Sequence, residues 1–266
     1  RGGDARGERR RACCLRVHGG DGAKRFYNGR TPRPGHPHGA AALASMDVAD
    51  LPLPFAWTLA GWIVAAPLLA WMAVRGDWSR FRESGPTNAF LGAVFALAVL
   101  WSVRGSVGGD FAFHLLGSAG LALAAGLPRA LVGGALVVAV TTLVRDAPLA
   151  NAALVWLTLV ALPAAVARLF LAMMERVFPP NFFVYVFAGC FLGAAMAFAA
   201  GAMAGVAISV LGAGMPFELA FGERAPFLIY LAFGEGTLTG MILTLLVVYR
   251  PEWVATFDDR RYLTGR

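Results

Sequence analysis

Charge is scarce in this chain. Only 15% of the 266 residues are charged while 58% are hydrophobic, and the polar positions collect between long apolar runs instead of alternating with them. The natural solvent of such a chain is a bilayer. Cysteine is scarcer still. Cys13 and Cys14 are adjacent, a spacing that fits no metal site, and Cys190 lies in an apolar run, so the three cysteines supply no disulfide framework. Enzyme signatures are missing as well: there is no H-E-x-x-H, no G-x-S-x-G, no G-x-x-x-x-G-K-[ST] and no pair of carboxylates within an apolar run. An active transporter built on this chain would have to take its ATPase from another subunit.

The first 45 residues differ from the rest. "RGGDARGERRRACCLRVHGG" and "RTPRPGHPHGA" are rich in Arg, Gly and Pro and have no apolar periodicity, so they cannot build a core. They carry neither the amphipathic pattern of a transit peptide nor an apolar stretch long enough for a secretory signal. Residues 1–45 therefore read either as a disordered tail or as sequence upstream of a true start at Met46. His36 and His38 belong to that tail and read as solvated. Residues 46–266 read as a single transmembrane domain.

From Met46 onward there are seven apolar runs, roughly Phe55 to Val74, Asn88 to Val103, Phe111 to Gly126, Pro128 to Val144, Asn151 to Phe170, Asn181 to Leu211 and Pro226 to Tyr249. The fold class predicted is all-α, a polytopic bundle of about seven helices. The third and fourth runs are short and nearly continuous, which suits a tight pair or a re-entrant unit. Arginine placement sets the orientation. Links after runs one, three and five, with the C-terminus, hold Arg75, Arg80, Arg82, Arg129, Arg168, Arg176, Arg250, Arg260, Arg261 and Arg266. The other links hold Arg104, Arg145 and Arg224. Ten against three places the C-terminus in the cytoplasm and the start of run one outside. The net charge of +7 is then a topology signal, since no basic stripe with interleaved aromatics exists beyond the tail, and no nucleic-acid partner is expected.

Ionisable groups inside hydrocarbon are costly and mark candidate sites by default. Two qualify: His114 in "FAFHLLGSAG", the one histidine of four outside the tail, and Glu235 in "YLAFGEGTLTG". Glycines flank both. Gly117 and Gly120 follow His114 at helical spacing, and Gly234, Gly236 and Gly240 surround the carboxylate, thinning a helix face so that another backbone can approach. The plainer reading makes His114 a donor to a neighbouring carbonyl and Glu235 a protonated or arginine-paired packing residue. Run six also carries a ridge of small residues four apart, Gly189, Gly193, Ala197, Gly201 and Gly205, suited to close helix packing within the bundle or against a partner.

The segments "FHLLGSAGLALAAGLPRALVGG", "NFFVYVFAGCFLGAAMAFAAGA", "FGEGTLTGMILTLLVVYRPEW" and "FDDRRYL" resemble, in order over about residues 46 to 263, the CbiM-like permease family of energy-coupling factor ABC transporters, in its divergent branch. The resemblance implies a substrate-capture component of cobalt or nickel importers, multi-pass in a bacterial inner membrane. It also implies a transmembrane coupling subunit and a pair of cytoplasmic ATPases as partners, Co2+ or Ni2+ as the transported substrate, and no tightly bound cofactor. In the family the metal is held by a free amino terminus, by the backbone nitrogen and imidazole of a second-position histidine, and by a further histidine of the third-helix motif. Nitrogen donors of this kind suit nickel or cobalt. On this chain His114 matches the helix histidine, and the implied metal set is His114, Met46 and Asp47. Asp47 stands where the family has histidine, which changes both charge and donor type. Glu235 would serve coupling or support the ligands. A non-transport membrane scaffold is the alternative, and so is a carrier for a small organic solute, which would need more hydrogen-bonding side chains than the runs supply.

The arginine bias carries a topology prediction. A reporter fused after Arg266 should read as cytoplasmic and one inserted near Arg145 as external; both reporters on one side would break the assignment.

Overall fold

Pro52 and Pro54 lack the N–H that a helix needs, so the chain cannot coil smoothly from its first turn into the first long helix. The computed structural model describes residues 48–79, 84–102, 105–107, 111–113, 115–222, 225–258 and 262. A single 3-10 turn, Val48–Asp50, precedes the prolines, and helix α1 (Phe55–Arg75) begins directly after Pro54. Then follow α2 (Ser84–Ser102), a small antiparallel hairpin of β1 (Gly105–Val107) and β2 (Phe111–Phe113), the short α3 (Ser118–Ala125) and α4 (Leu127–Val144). The long spans α5 (Leu149–Val177), α6 (Val184–Leu211) and α7 (Ala225–Tyr249) complete the bundle.

The chain is thus all-α apart from the hairpin, with seven helices among the described residues, six of them long and apolar enough to cross a membrane. Only 11% of the apolar window in α2 and 17% of that in α1 are buried within the protein. The remaining surface of those helices, Phe55, Ile63 and Phe95 among it, requires an apolar solvent.

The third run is not a membrane-length helix. Phe111–Phe113 pairs with Gly105–Val107 as a strand, and helix begins only at Ser118. Gly117, just before it, has φ 63, a left-handed conformation in which side chains are strained. Gly117 and Gly120 therefore do not share a helix face as their spacing suggested: Gly117 is the turn and Gly120 packs against the side chain of Thr239. Gly126, φ 88, ends α3 and precedes α4, whose second residue is Pro128, so the two are a tight pair with no linker.

Contacts at the ends show how the elements alternate. Asp50 pairs with Arg145, and Asn151 reaches Val48, so the starts of α1 and α5 share one end with the close of α4. At the opposite end Ala255 N donates to Ala124 O, Thr256 Oγ1 donates to Leu123 O, and Tyr185 OH bonds Thr256 Oγ1. Tyr262 OH donates to Glu175 there, so the segment after α7 straps the ends of α3 and α5 to the start of α6.

Proline and small residues set the remaining packing. Pro163 follows a π-helical stretch, Leu157–Ala161, which absorbs the hydrogen bond the ring cannot make. All five ridge residues of α6 are buried, Gly189 against Leu171, Gly193 against Phe170 and Gly201 against the Thr158 carbonyl, which turns the ridge towards α5. A Cβ on Gly201 would lie 2.8 Å from that carbonyl oxygen.

Gly117→Ala tests the turn. Its Cβ would meet Leu97 Cδ2 at 2.3 Å in a left-handed conformation, so unfolding in detergent should show a loss of about 2–5 kcal/mol from strain and overpacking together. Gly92→Ala, with nothing within 4 Å of the new methyl, should be close to neutral. Equal stability of the two variants would refute the assigned role of Gly117.

Candidate functional site

A turn inside a membrane bundle must have its backbone groups bonded, because hydrocarbon offers no water to do it. Leu115–Gly117 is such a turn. Leu116, 3% exposed, receives partners from two helices: its N–H donates to Glu235 Oε2 at 2.9 Å, and its carbonyl accepts Trp101 Nε1–H at 3.0 Å. The next N–H, that of Gly117, donates to Glu235 Oε1 at 2.6 Å. One carboxyl group thus clamps two successive amides with its two oxygens. Those amides lie two and three residues after His114.

Glu235 itself is 2% exposed on α7. Gly236 makes its placement feasible, for a Cβ there would lie 2.6 Å from the Phe191 carbonyl oxygen of α6. Gly240 meets the Phe191 Cβ one turn further on, and Gly234 meets Leu115. The glycines around the carboxyl group therefore serve a close α6–α7 approach and leave room for the turn. No arginine is paired with Glu235 among the ion pairs of the described residues. The turn, Glu235 and Thr239 also border an apolar groove of about 340 Å³ between α2 and α7, floored by α3.

A second polar feature holds the start of the chain. Val48, Ala49 and Leu51 are 1%, 5% and 3% exposed, buried although they lie at the end of the bundle. Asn151 Nδ2 lies 2.9 Å from the Ala49 carbonyl, 3.0 Å from that of Leu51 and 3.3 Å from that of Val48. Asp50 Oδ2 accepts from Arg145 Nη2 at 2.9 Å. Val48 and Leu116 belong to one buried apolar cluster, so this segment and the turn share a core.

Of the residues singled out from the sequence, Glu235 is placed in the interior and the α6 ridge against α5. His114, Met46 and Asp47 lie outside the described residues. Among the described residues no group of three or more His, Cys, Asp or Glu side chains is arranged to hold a metal ion. Sequence reasoning missed Asn151, Trp101 and the Asp50–Arg145 pair. Asn151 stood at the polar margin of run five, and Arg145 was read only as a topology charge. A polar residue opening an apolar run was the available signal.

Glu235→Gln is not a silent isostere in this geometry. One oxygen becomes an amide group facing an N–H, and an unsatisfied buried amide costs on the order of 1–3 kcal/mol. Hydrogen exchange should therefore speed up at Leu116 and Gly117 in the variant while distant amides of α5 keep their protection. Unchanged exchange at both positions would remove the clamp.

The architecture can now be compared with known proteins. No curated protein and no solved structure matches the chain. The family described as CbiM, cobalt uptake substrate-specific transmembrane region, matches residues 47–253, from the residue before the anchored turn to the end of the 3-10 turn after α7. A match of that extent, running over every helix of the bundle, makes the chain a member of the CbiM family of cobalt-uptake transmembrane proteins.

Proposed function

We propose that this chain is the metal-capturing membrane subunit of an energy-coupling factor importer, taking up cobalt or nickel from the end of the bundle that carries Val48 and Arg145. The observation that supports this most directly is the clamp of Glu235 on Leu116 and Gly117, which spends a buried carboxyl group on fixing the backbone just after His114. The clamp satisfies the buried amides of the turn, and a backbone fixed in this way supports a ligand beside it, because metal affinity depends on donors held in place by the groups behind them.

In this reading His114 supplies an imidazole nitrogen. Met46 supplies its free amine and Asp47 a backbone nitrogen and carboxylate, a mixed set suited to a borderline divalent ion. The ion is substrate and not a resident cofactor. The opposite end of the bundle, rich in arginine by the positive-inside bias, faces the cytoplasm of a bacterial cell and the coupling subunit with its two ATPases. Glu235 acts as a positioning residue for His114, so its replacement by Gln should lower uptake while the protein still inserts.

Metal titration of purified protein tests the reading. Protein begun at Met46 should bind Co2+ or Ni2+, and His114→Ala should abolish that binding. Extension before Met46 turns the amine into an amide and should weaken binding nearly as much, whereas Asp47→His should strengthen it. Neutral imidazole is the ligating form, so affinity should fall as pH drops through the histidine range and protons compete with the metal. Unchanged affinity in His114→Ala would overturn the assignment.

A further inference from the structure

The groove beside the turn extends beyond its inner part of about 340 Å³. A second cavity of about 260 Å³ shares Ala93 of α2, Leu121 and Ala124 of α3, and Ile242 and Leu246 of α7 with it, so the two form one trench. α2 leans on α4, where Phe90 and Val94 lie against Gly133, and the trench is the space left on its α7 side. Both ends are closed. Leu115 and Gly117 stop it at the turn, and Trp253, whose indole lies against Gly85 of α2, stops it at the end of the bundle. From Glu235 to Leu246 the trench follows α7 for about 16 Å at 1.5 Å per residue. That length is close to the ~15 Å of hydrocarbon in one leaflet.

The lining changes character along this length. In the inner part the polar side chains are Glu235 and Thr239, and Glu235 is turned to the amides of Leu116 and Gly117. At the outer end stand Arg129, in the first turn of α4, and Trp253, over which Arg250 stacks at 5.7 Å. Glu252, the carboxylate next to Trp253 in sequence, is paired with Arg250 at 3.7 Å. A guanidinium carries five N–H donors, so Arg129 can grip a phosphate alongside a protein partner. Tryptophan at that level is the ordinary neighbour of lipid headgroups. A partner's spanning helix needs the full ~30 Å of hydrocarbon and would not stop at a turn halfway across. A lipid chain ends there.

We propose that the trench holds one acyl chain of an anionic glycerophospholipid from the leaflet at this end of the bundle, with its phosphate against Arg129 and beside Trp253. The inference goes beyond metal capture and does not depend on it. The chain fills the gap between α2 and α7 and so supports the turn that Trp101 and Glu235 secure from those two helices.

Native mass spectrometry of the full chain in detergent tests this with phosphatidylglycerol and phosphatidylcholine of identical acyl chains. One phosphatidylglycerol per chain should remain bound at a concentration where phosphatidylcholine is lost. Arg129→Gln should weaken phosphatidylglycerol about fivefold or more and leave phosphatidylcholine unchanged. Arg75→Gln, which removes a charge at the same end outside the trench, should change neither. Ala93→Trp fills the trench where its two parts meet and should abolish retention. Equal losses in the two arginine variants would mean general charge attraction, and full retention in Ala93→Trp would place the lipid elsewhere; either result overturns the proposal. Should Ala93→Trp fail to insert, the unaltered protein is labelled in vesicles with phosphatidylglycerol carrying a diazirine at its chain end. Cross-links should concentrate on Leu97 and Leu238 at the inner end of the trench. Labelling as heavy on the exposed Phe95 and Ile63, or a trench left unlabelled as a protein occupant would leave it, overturns the assignment.

Discussion

The rest of this structure depends on one carboxyl group accepting two backbone N–H groups in a place without water. Leu116 and Gly117 cannot be helical, since Gly117 is left-handed, and their amides would otherwise stand unpaired at membrane depth. Glu235 removes that cost from α7, and Trp101 removes the matching cost of the Leu116 carbonyl from α2. Three helices are thereby tied to one turn. The polar residues that a bilayer makes expensive are the ones that let the chain depart from helix in its interior.

Clamping of the turn also explains how an eight-residue helix can stand among long spans. α3 is too short to cross hydrocarbon, yet its carbonyl end is bonded as firmly as its amide end: Thr256 Oγ1 donates to Leu123 O at 2.7 Å and Ala255 N to Ala124 O at 2.6 Å. The aromatic group of Tyr185, Phe257 and Tyr262 holds that strap in place, with ring centroids 5.0–5.1 Å apart. A short helix bonded at both termini by other elements is a rigid link between the turn after His114 and the far end of the bundle.

The long helices gain their packing from small residues and local unwinding. α5 and α6 approach closely because Gly189, Gly193 and Gly201 lack side chains where Leu171, Phe170 and the Thr158 carbonyl come near. In α5 the π-helical stretch ahead of Pro163 passes the freed hydrogen bond along the helix instead of breaking it. The tight core this yields lies beneath both the turn and the N-terminal anchor, and Leu116 touches the site that a Cβ on Gly201 would fill.

Sequence by itself determined the solvent, the helical class, six of the spans apart from the last turns of α5, the alternation of their ends and the singling out of Glu235, because hydrophobic length and the cost of a charge in hydrocarbon are properties of the chain alone. Run three misled, since an apolar run with glycines scores as helix whether or not its amides are diverted to a carboxyl group 118 residues away. What Glu235 bonds, that the ridge of α6 faces α5, and that Asn151 holds the Val48–Leu51 carbonyls were decided only by tertiary structure. Each of those depends on which distant backbone arrives opposite a side chain, and one-dimensional spacing carries no record of that meeting. His114 was legible as an isolated imidazole in an apolar run; the turn at Leu115–Gly117 was legible only once α2, α3 and α7 had come together around Leu116.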